Sequence, residues 1–159
     1  MQLFKSGSLA ILVLGFSVFA TAQAAGDPED TIKYRHAIME AMSSHVAAIL
    51  LIATNKIDAR QHLQEHADAV ANLSGELGQL FPEGSGGSET ETLPEIWSDS
   101  EKFAAAVKKI QDSAQTLQAA AGSNDNKAFM GAFAAAGKAC KSCHESFRAE
   151  HDHEEDHDD

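Results

Sequence analysis

Four stretches of this 159-residue chain repeat apolar residues at spacings of three and four. This spacing places the apolar side chains on one face of an α-helix, and no convincing strand alternation occurs beside it. Amphipathic helices of about twenty residues with short connections pack most economically as an antiparallel bundle. We therefore predict an all-α fold, an antiparallel four-helix bundle, with helices beginning at Asp27, near Asp58, at Ser98 and at Asn124.

Local signals mark several of these boundaries. Asp27 is a good N-cap and is followed by Pro28, which suits the first helical position. Ser98 and Glu101 have the spacing of a capping box, which predicts the start of the third helix. The segment from Phe81 to Leu93 is rich in Gly, Ser and Thr, so we expect a loop there.

The first 24 residues read as a secretory signal peptide. Lys5 gives a positive start, and the apolar run from Leu9 to Ala20 is too short to span a bilayer as a helix. Ala22 and Ala24 form a small-x-small cleavage site. We expect a signal peptide at 1–24, a mature exported protein without stable membrane insertion and, in a bacterium, a periplasmic location.

Charge excludes some partners and sets the C-terminus apart. The chain has 12 basic and 24 acidic residues and a net charge of -12, so binding to nucleic acid is not expected. The last ten residues, Glu150 to Asp159, contain seven acids together with His151, His153 and His157. We predict a bundle domain at 25–149 and a disordered acidic tail at 150–159, in which histidines and carboxylates could also bind a transition metal.

The strongest chemical signal is Cys140-x-x-Cys143-His144, the attachment sequence of a c-type haem. Two thiols one helical turn apart can each bond a vinyl group of the porphyrin, and the adjacent imidazole can bind the iron. A thioredoxin-like redox pair normally follows a strand, and a thiolate zinc site needs a second cysteine pair. Neither condition is met, so the motif predicts one covalent haem c.

Residues on the apolar faces of the first and fourth helices gain meaning from this motif. Arg35 lies on the apolar stripe, where a charge needs a partner; a haem propionate or the solvent at the end of the bundle would serve. Met39 could bind the iron opposite His144 or fill space. His36 could contact the haem rim or face solvent. Arg148, one turn beyond His144, could reach the proximal side or lie on the surface.

Three further histidines have no ligand-like company in the sequence. His45, His62 and His66 are interpreted by default as surface residues. His62 and His66 are separated by four positions on one predicted helix, a spacing that allows a shared metal ion.

The chain resembles the cytochrome c-prime family, the class II c-type cytochromes. The resemblance rests on Tyr34 to Met39, on Pro94 to Asp99, and on the position of the C-x-x-C-H motif near the C-terminus. It implies a four-helix, periplasmic homodimer with thioether bonds to Cys140 and Cys143 and with His144 as the proximal ligand.

The same resemblance implies roles for other cavity residues. Arg35 matches the arginine that binds a propionate, and Arg148 matches the basic residue near the proximal histidine. His36 stands where the family often has Gln, and Met39 occupies the variable distal position. A pair in the preceding loop, Glu91 and Thr92, falls where the family's loop approaches the haem.

Two functions fit these features. The first is an electron carrier that exchanges electrons with redox partner proteins. The alternative is a module that binds nitric oxide or carbon monoxide on an open distal side. No polar distal pair is evident for peroxide cleavage beyond His36 and Arg35, so an enzyme is not expected.

Overall fold

The computed structural model describes residues 27–123 and 125–149, and within them the chain is α-helical. The predicted signal peptide, the tail and Asn124 lie outside the described residues. Apart from an isolated antiparallel bridge between Thr92 and Arg148, no strand pairing occurs in these ranges. The predicted all-α fold is confirmed, with helices α1 (Pro28–Ala53), α2 (Leu63–Ser74), α3 (Glu95–Ser98), α4 (Ser100–Ala121) and α5 (Asn126–Phe147).

Three of the long helices, α1, α4 and α5, begin at an aspartate cap. The side chain of Asp27 accepts a hydrogen bond from the backbone N–H of Glu29 at 2.9 Å, as the sequence predicts for the start of α1. Asp125, and not Asn124 as the sequence predicts, caps α5 by accepting from the N–H groups of Lys127 and Ala128 at 2.9 and 3.0 Å. Each cap satisfies N–H groups that have no partner within the helix itself.

The predicted capping box at Ser98 is wrong. Ser98 is the last residue of the short helix α3, and the chain bends at Asp99, whose φ and ψ are -125° and 57°. Asp99 is the actual N-cap of α4 and accepts from the N–H of Lys102 at 3.3 Å. The sequence signal fails because Ser98 and the residues before it form helix α3, so Ser98 is not free to cap the next helix.

Helix α2 is shorter than its apolar pattern predicts. It has 12 residues, and 3-10 turns flank it at 60–62 and 77–79. Gly75 and Gly78 have low helix propensity and favour this early end. Leu77 and Leu80 are nevertheless buried, because a 3-10 turn aligns residues that are three apart. The apolar stripe therefore continues after the α-helix has ended.

Pairs of contacting residues show that α1 and α2 are antiparallel. Tyr34, near the start of α1, donates its hydroxyl proton to Glu76, just after α2, at 2.6 Å. His45 lies much further along α1 and contacts His66, near the start of α2. Residue numbers thus rise along one helix as they fall along the other.

The same antiparallel relation continues around the bundle. On α4, Gln111 donates to the carbonyl of Ser74, and the carbonyl of Gln118 accepts from Gln64. The chain then reverses between the end of α4 and the start of α5. Helices α1, α2, α4 and α5 form a bundle in which α1 packs on α2, α2 on α4 and α4 on α5.

The cap of α4 gives a direct test of the helix boundary. We expect Asp99→Ala to lower the free energy of unfolding by about 1 kcal/mol, the usual cost of losing an N-cap side chain. Ser98→Ala is the matched control and should change it by less than about 0.5 kcal/mol, because Ser98 is exposed. Urea unfolding measures both. A larger loss for Ser98→Ala than for Asp99→Ala would contradict the assigned boundary.

Candidate functional site

A cavity of about 510 Å³ lies inside the bundle, with residues of both α1 and α5 in its wall. Its volume falls in the range of about 300–1,000 Å³ that is typical of ligand and cofactor sites. Most of the wall is apolar, since α1 and α4 contribute the side chains Met39, Met42, Val46, Phe103, Val107 and Ile110. The cavity is therefore shaped and lined for a large apolar group.

The C-x-x-C-H motif lies on the α5 wall of this cavity. Cys140 and Cys143 are partly buried, carry free thiols and face the cavity one helical turn apart. Burial raises the pKa of both thiols, and Cys140 adds to the effect on Cys143, whose pKa rises to about 11. A reactive redox pair has a lowered thiol pKa, so this environment does not fit a thioredoxin-like site.

His144 follows on the same helix, with its ring at the exposed edge of the cavity. Burial is the main cause that lowers the pKa of His144. The positive charge of Arg148 lowers it further, and the negative charge of Glu91 opposes the shift. The imidazole is therefore neutral at neutral pH, which is the form that binds a metal ion.

Arg148 lines the same cavity as His144 but lies just beyond the end of the helix, and its contact with the proximal side of a haem stays a prediction. Helix α5 ends at Phe147, and Arg148 is extended, with φ and ψ of -121° and 134°. Its guanidinium forms an ion pair with Glu91. The charge still acts on His144, but it reaches it from beyond the end of the helix.

The chain after α5 pairs with the loop before α3. The N–H of Leu93 donates to the carbonyl of Phe147 at 3.0 Å, and the N–H of Ala149 donates to that of Glu91 at 2.7 Å. We call residues 91–93 and 147–149 the clasp. It places Glu91 and Thr92 in the wall of the cavity, close to the motif.

Arg35 also lines the cavity, yet its guanidinium binds neutral oxygens of the protein. It is 2% exposed, and its four terminal N–H groups donate to the carbonyls of Leu80 and Ser85 and to the hydroxyls of Ser85 and Thr90, at 2.9–3.1 Å. Its guanidinium also lies 4.9 Å from the ring centroid of Phe81. Burial lowers its pKa. Its binding of a propionate stays a prediction; its hold on the loop at 80–90 is what the structure adds.

The two remaining α1 candidates line the same cavity. Met39 is partly buried and His36 is exposed. Both belong to the wall that α1 provides, whereas His144 belongs to the wall that α5 provides. The structure therefore brings Met39 and His144 to one cavity, and iron ligation by Met39 stays a prediction.

Thr92 supplies an observation that bears on the cofactor. Among the described residues, its Oγ1 is the buried side-chain polar atom without a hydrogen-bond partner. Such a hydroxyl is costly to leave unpaired, and it lines the cavity. The carboxylate of a haem propionate would accept its proton. With two thiols, a neutral imidazole and an apolar wall, the residues present fit a covalent haem.

Sequence reasoning missed Ser85 and Thr90, the hydroxyl partners of Arg35. A buried charge on an apolar stripe requires acceptors, and the loop at 81–93 contains four hydroxyl side chains. That combination was the available signal. The order in which an irregular loop presents its oxygens cannot be derived from a periodic pattern.

The family model described as Cytochrome C′ matches residues 30–148. The chain belongs to the cytochrome c′ family. Cytochrome c′ of Rhodospirillum rubrum is 33% identical over 143 residues, which are 89% of this chain and 97% of that protein. This result confirms the predicted family and its covalently bound haem c.

Solved structures of the family share the fold. Cytochrome c prime from Shewanella frigidimarina has a TM-score of 0.75 and 31% identity, over 79% of this chain and 99% of its own. The nitric oxide complex of a mutant of cytochrome c prime from Alcaligenes xylosoxidans has a TM-score of 0.74 and 28% identity, over 80% and 99% of the two chains. The comparison covers the bundle and so the whole cavity.

The unpaired hydroxyl of Thr92 allows a test of the haem fit. In the haem-loaded protein we expect Thr92→Val to lower the free energy of unfolding by about 1 kcal/mol, because a hydrogen bond to the propionate is lost. Thr116→Val, on the exposed face of α4, serves as the control and should have a smaller effect. Chemical denaturation of the holoprotein measures both. If Thr92→Val instead raises stability, the hydroxyl has no partner and the haem does not meet Thr92.

Proposed function

We propose that this cytochrome c′ binds nitric oxide or carbon monoxide at its haem iron, on the α1 side of the cavity. The observation that carries the proposal is the α1 wall itself, in which Met39, Met42 and Val46 offer apolar side chains. A small uncharged ligand can enter such surroundings without losing a hydrogen bond to water, whereas a charged one cannot.

Met39 makes this wall adaptable. Methionine has three rotatable bonds and a polarisable sulfur, so it can occupy a site and withdraw from it. The side chain is partly buried, which leaves it room to move. A weak bond from its sulfur to the iron would yield to a stronger diatomic ligand. Gas binding and a methionine ligand are therefore compatible.

Relatives support the proposal. One solved neighbour is a nitric oxide complex, and another is a carbon monoxide-bound variant of cytochrome c prime from Alcaligenes xylosoxidans. Both belong to the family of this chain. Their ligands are of the class that the apolar α1 wall would admit.

The other residues of the site would hold the cofactor. Cys140 and Cys143 would form the thioethers, and the neutral imidazole of His144 would bind the iron, which supplies the ligand-binding and redox chemistry. Arg35 fixes the loop at 80–90, and Arg148 with Glu91 closes the clasp beside His144. These contacts position the groups around the haem.

Electron transfer is the second candidate function. His144 lies at the exposed edge of the cavity, so a haem bound there would present an edge to a redox partner. The net charge of -12 favours partners with a basic docking surface. The signal peptide predicted at 1–24 supports a periplasmic location for either function.

We do not assign an enzymatic activity. In the sequence, His36 and Arg35 were the only residues considered for peroxide cleavage. In the structure, the terminal N–H groups of Arg35 donate to oxygens of the loop at 80–90. A peroxidase arginine needs free donors directed at the bound peroxide. This arrangement favours binding over catalysis.

We also propose that the protein is a homodimer joined through α1. One stripe of α1 is exposed or only partly buried. It consists of residues spaced three, four, seven and three positions apart: Tyr34, Ala37, Ala41, Ala48 and Leu51. Tyr34 and Leu51 are 51% and 50% exposed, which is high for large apolar side chains. The alanines permit a second α1 to approach closely. By length and composition alone, helix α1 is also long and apolar enough to cross a membrane.

Spectroscopy of Met39 variants tests the gas site. We expect the ferric holoprotein to show the charge-transfer band of a sulfur–iron bond, and Met39→Leu to abolish it. If Met39 occupies the iron about 90% of the time, its removal raises the carbon monoxide affinity of the ferrous protein by roughly tenfold. Met130→Leu, on α5 and outside the cavity wall, is the control and should change neither property.

Two results would overturn parts of this proposal, the methionine ligand in the first case and gas binding in the second. A high-spin wild-type spectrum that Met39→Leu leaves unchanged reduces Met39 to a packing residue. If the wild type and both variants bind neither gas, the gas-binding function is wrong and electron transfer becomes the better candidate.

The proposed α1 interface is tested by Leu51→Glu, which places a charge in the apolar stripe. We expect sedimentation equilibrium to show a wild-type dimer and a variant that dissociates at least tenfold more readily, because a carboxylate is costly to bury unpaired. Lys56→Glu, in the exposed turn beyond the stripe, controls for charge alone. A monomeric wild type excludes the dimer, and co-sedimentation of that monomer with lipid vesicles would assign the stripe to a membrane surface.

A further inference from the structure

A pair of histidines joins α1 to α2 outside the haem cavity. The Nδ1 atoms of His45 and His66 lie 2.9 Å apart, and the ring centroids are separated by 5.2 Å with an angle of 52° between the planes. Both side chains are partly buried, and neither lines the cavity. The pair is therefore a separate cluster of metal-ligating groups.

This pairing differs from the one that sequence spacing suggested. His62 and His66 could have shared a metal ion as neighbours on one helix, but His62 bonds Glu65 at 3.0 Å instead. His66 turns to His45, which is 21 residues away in sequence. The two helices thus hold two imidazole nitrogens together from opposite sides of one seam.

The distance between the nitrogens fits a particular coordination geometry. Imidazole nitrogens bind metals at about 2.0–2.1 Å, so two ligands 2.9 Å apart subtend about 90° at the metal. Tetrahedral coordination would need about 3.3 Å between them. A right angle between neighbouring nitrogen ligands is typical of the tetragonal sites of Cu²⁺ and Ni²⁺.

We propose that His45 and His66 form a binding site for a divalent transition metal of tetragonal geometry, Cu²⁺ above all. Cu²⁺ has the highest affinity of the first-row divalent ions for nitrogen ligands. No third His, Cys, Asp or Glu joins the pair to form a larger cluster among residues 27–123 and 125–149. Water completes the coordination, so the bound ion is exchangeable.

Metal binding requires a defined movement of one proton. Without metal, one Nδ1 carries the proton and the other accepts it, because two bare nitrogens would repel each other at this distance. When the ion binds both Nδ1 atoms, that proton moves to Nε2 of the same ring, which is the other neutral tautomer. Binding to the neutral pair therefore releases no proton from the two rings.

Copper titration of the full holoprotein tests the site. The tail histidines are first replaced in a His151→Asn, His153→Asn, His157→Asn background, so that they do not compete for the ion. Calorimetry should then show one equivalent of Cu²⁺, and electron paramagnetic resonance should show a tetragonal signal coupled to two nitrogens. We expect His45→Gln and His66→Gln each to weaken copper binding at least tenfold. Removal of a residue that only supports a metal ligand already lowers metal affinity by about tenfold or more, and these two residues are the ligands themselves.

Matched controls separate this role from a structural one. His62→Gln alters the histidine four residues before His66, which bonds Glu65 instead, and should leave copper affinity unchanged. The haem spectrum and circular dichroism of every variant check that the bundle is intact. If the tail-substituted protein binds no Cu²⁺, or if His45→Gln and His66→Gln bind it as tightly as their parent, the proposal is wrong and the pair is a hydrogen bond between helices.

Discussion

The burial of the Arg35 guanidinium is the constraint on which the rest of the site depends. A charge removed from water must find acceptors, and this one finds four of them in the loop that follows α2. The loop is thereby fixed against α1. Its continuation carries Glu91 and Thr92 to the C-terminal end of α5, where the clasp forms. One buried charge on the first helix thus determines what surrounds His144 on the last.

Much of this arrangement could be predicted from the sequence because it depends on local periodicity and spacing. The apolar stripes predicted the helical faces, and the motif at 140–144 predicted the wall to which the haem is joined. These inferences need little knowledge of tertiary structure. A residue on a regular helix faces a direction that its number alone determines.

The failures occurred where tertiary contacts overrule a local signal. Helix α5 could have continued past Arg148, but pairing with the loop draws the chain into an extended form and moves that side chain off the helical face. The predicted capping box at Ser98 does not form, because Ser98 belongs to the short helix α3, which the sequence pattern did not predict. The His45–His66 contact was missed because it depends on the register between two helices, which neither helix encodes by itself.

The clasp also determines where the acidic tail leaves the domain. Ala149 is held against Glu91 at the edge of the cavity, and seven carboxylates begin at the very next residue. The point from which these carboxylates extend is therefore fixed on the α5 side of the cavity, beside Glu91. Anions such as nitrite or cyanide would meet electrostatic repulsion there at low ionic strength, while a neutral diatomic molecule would not.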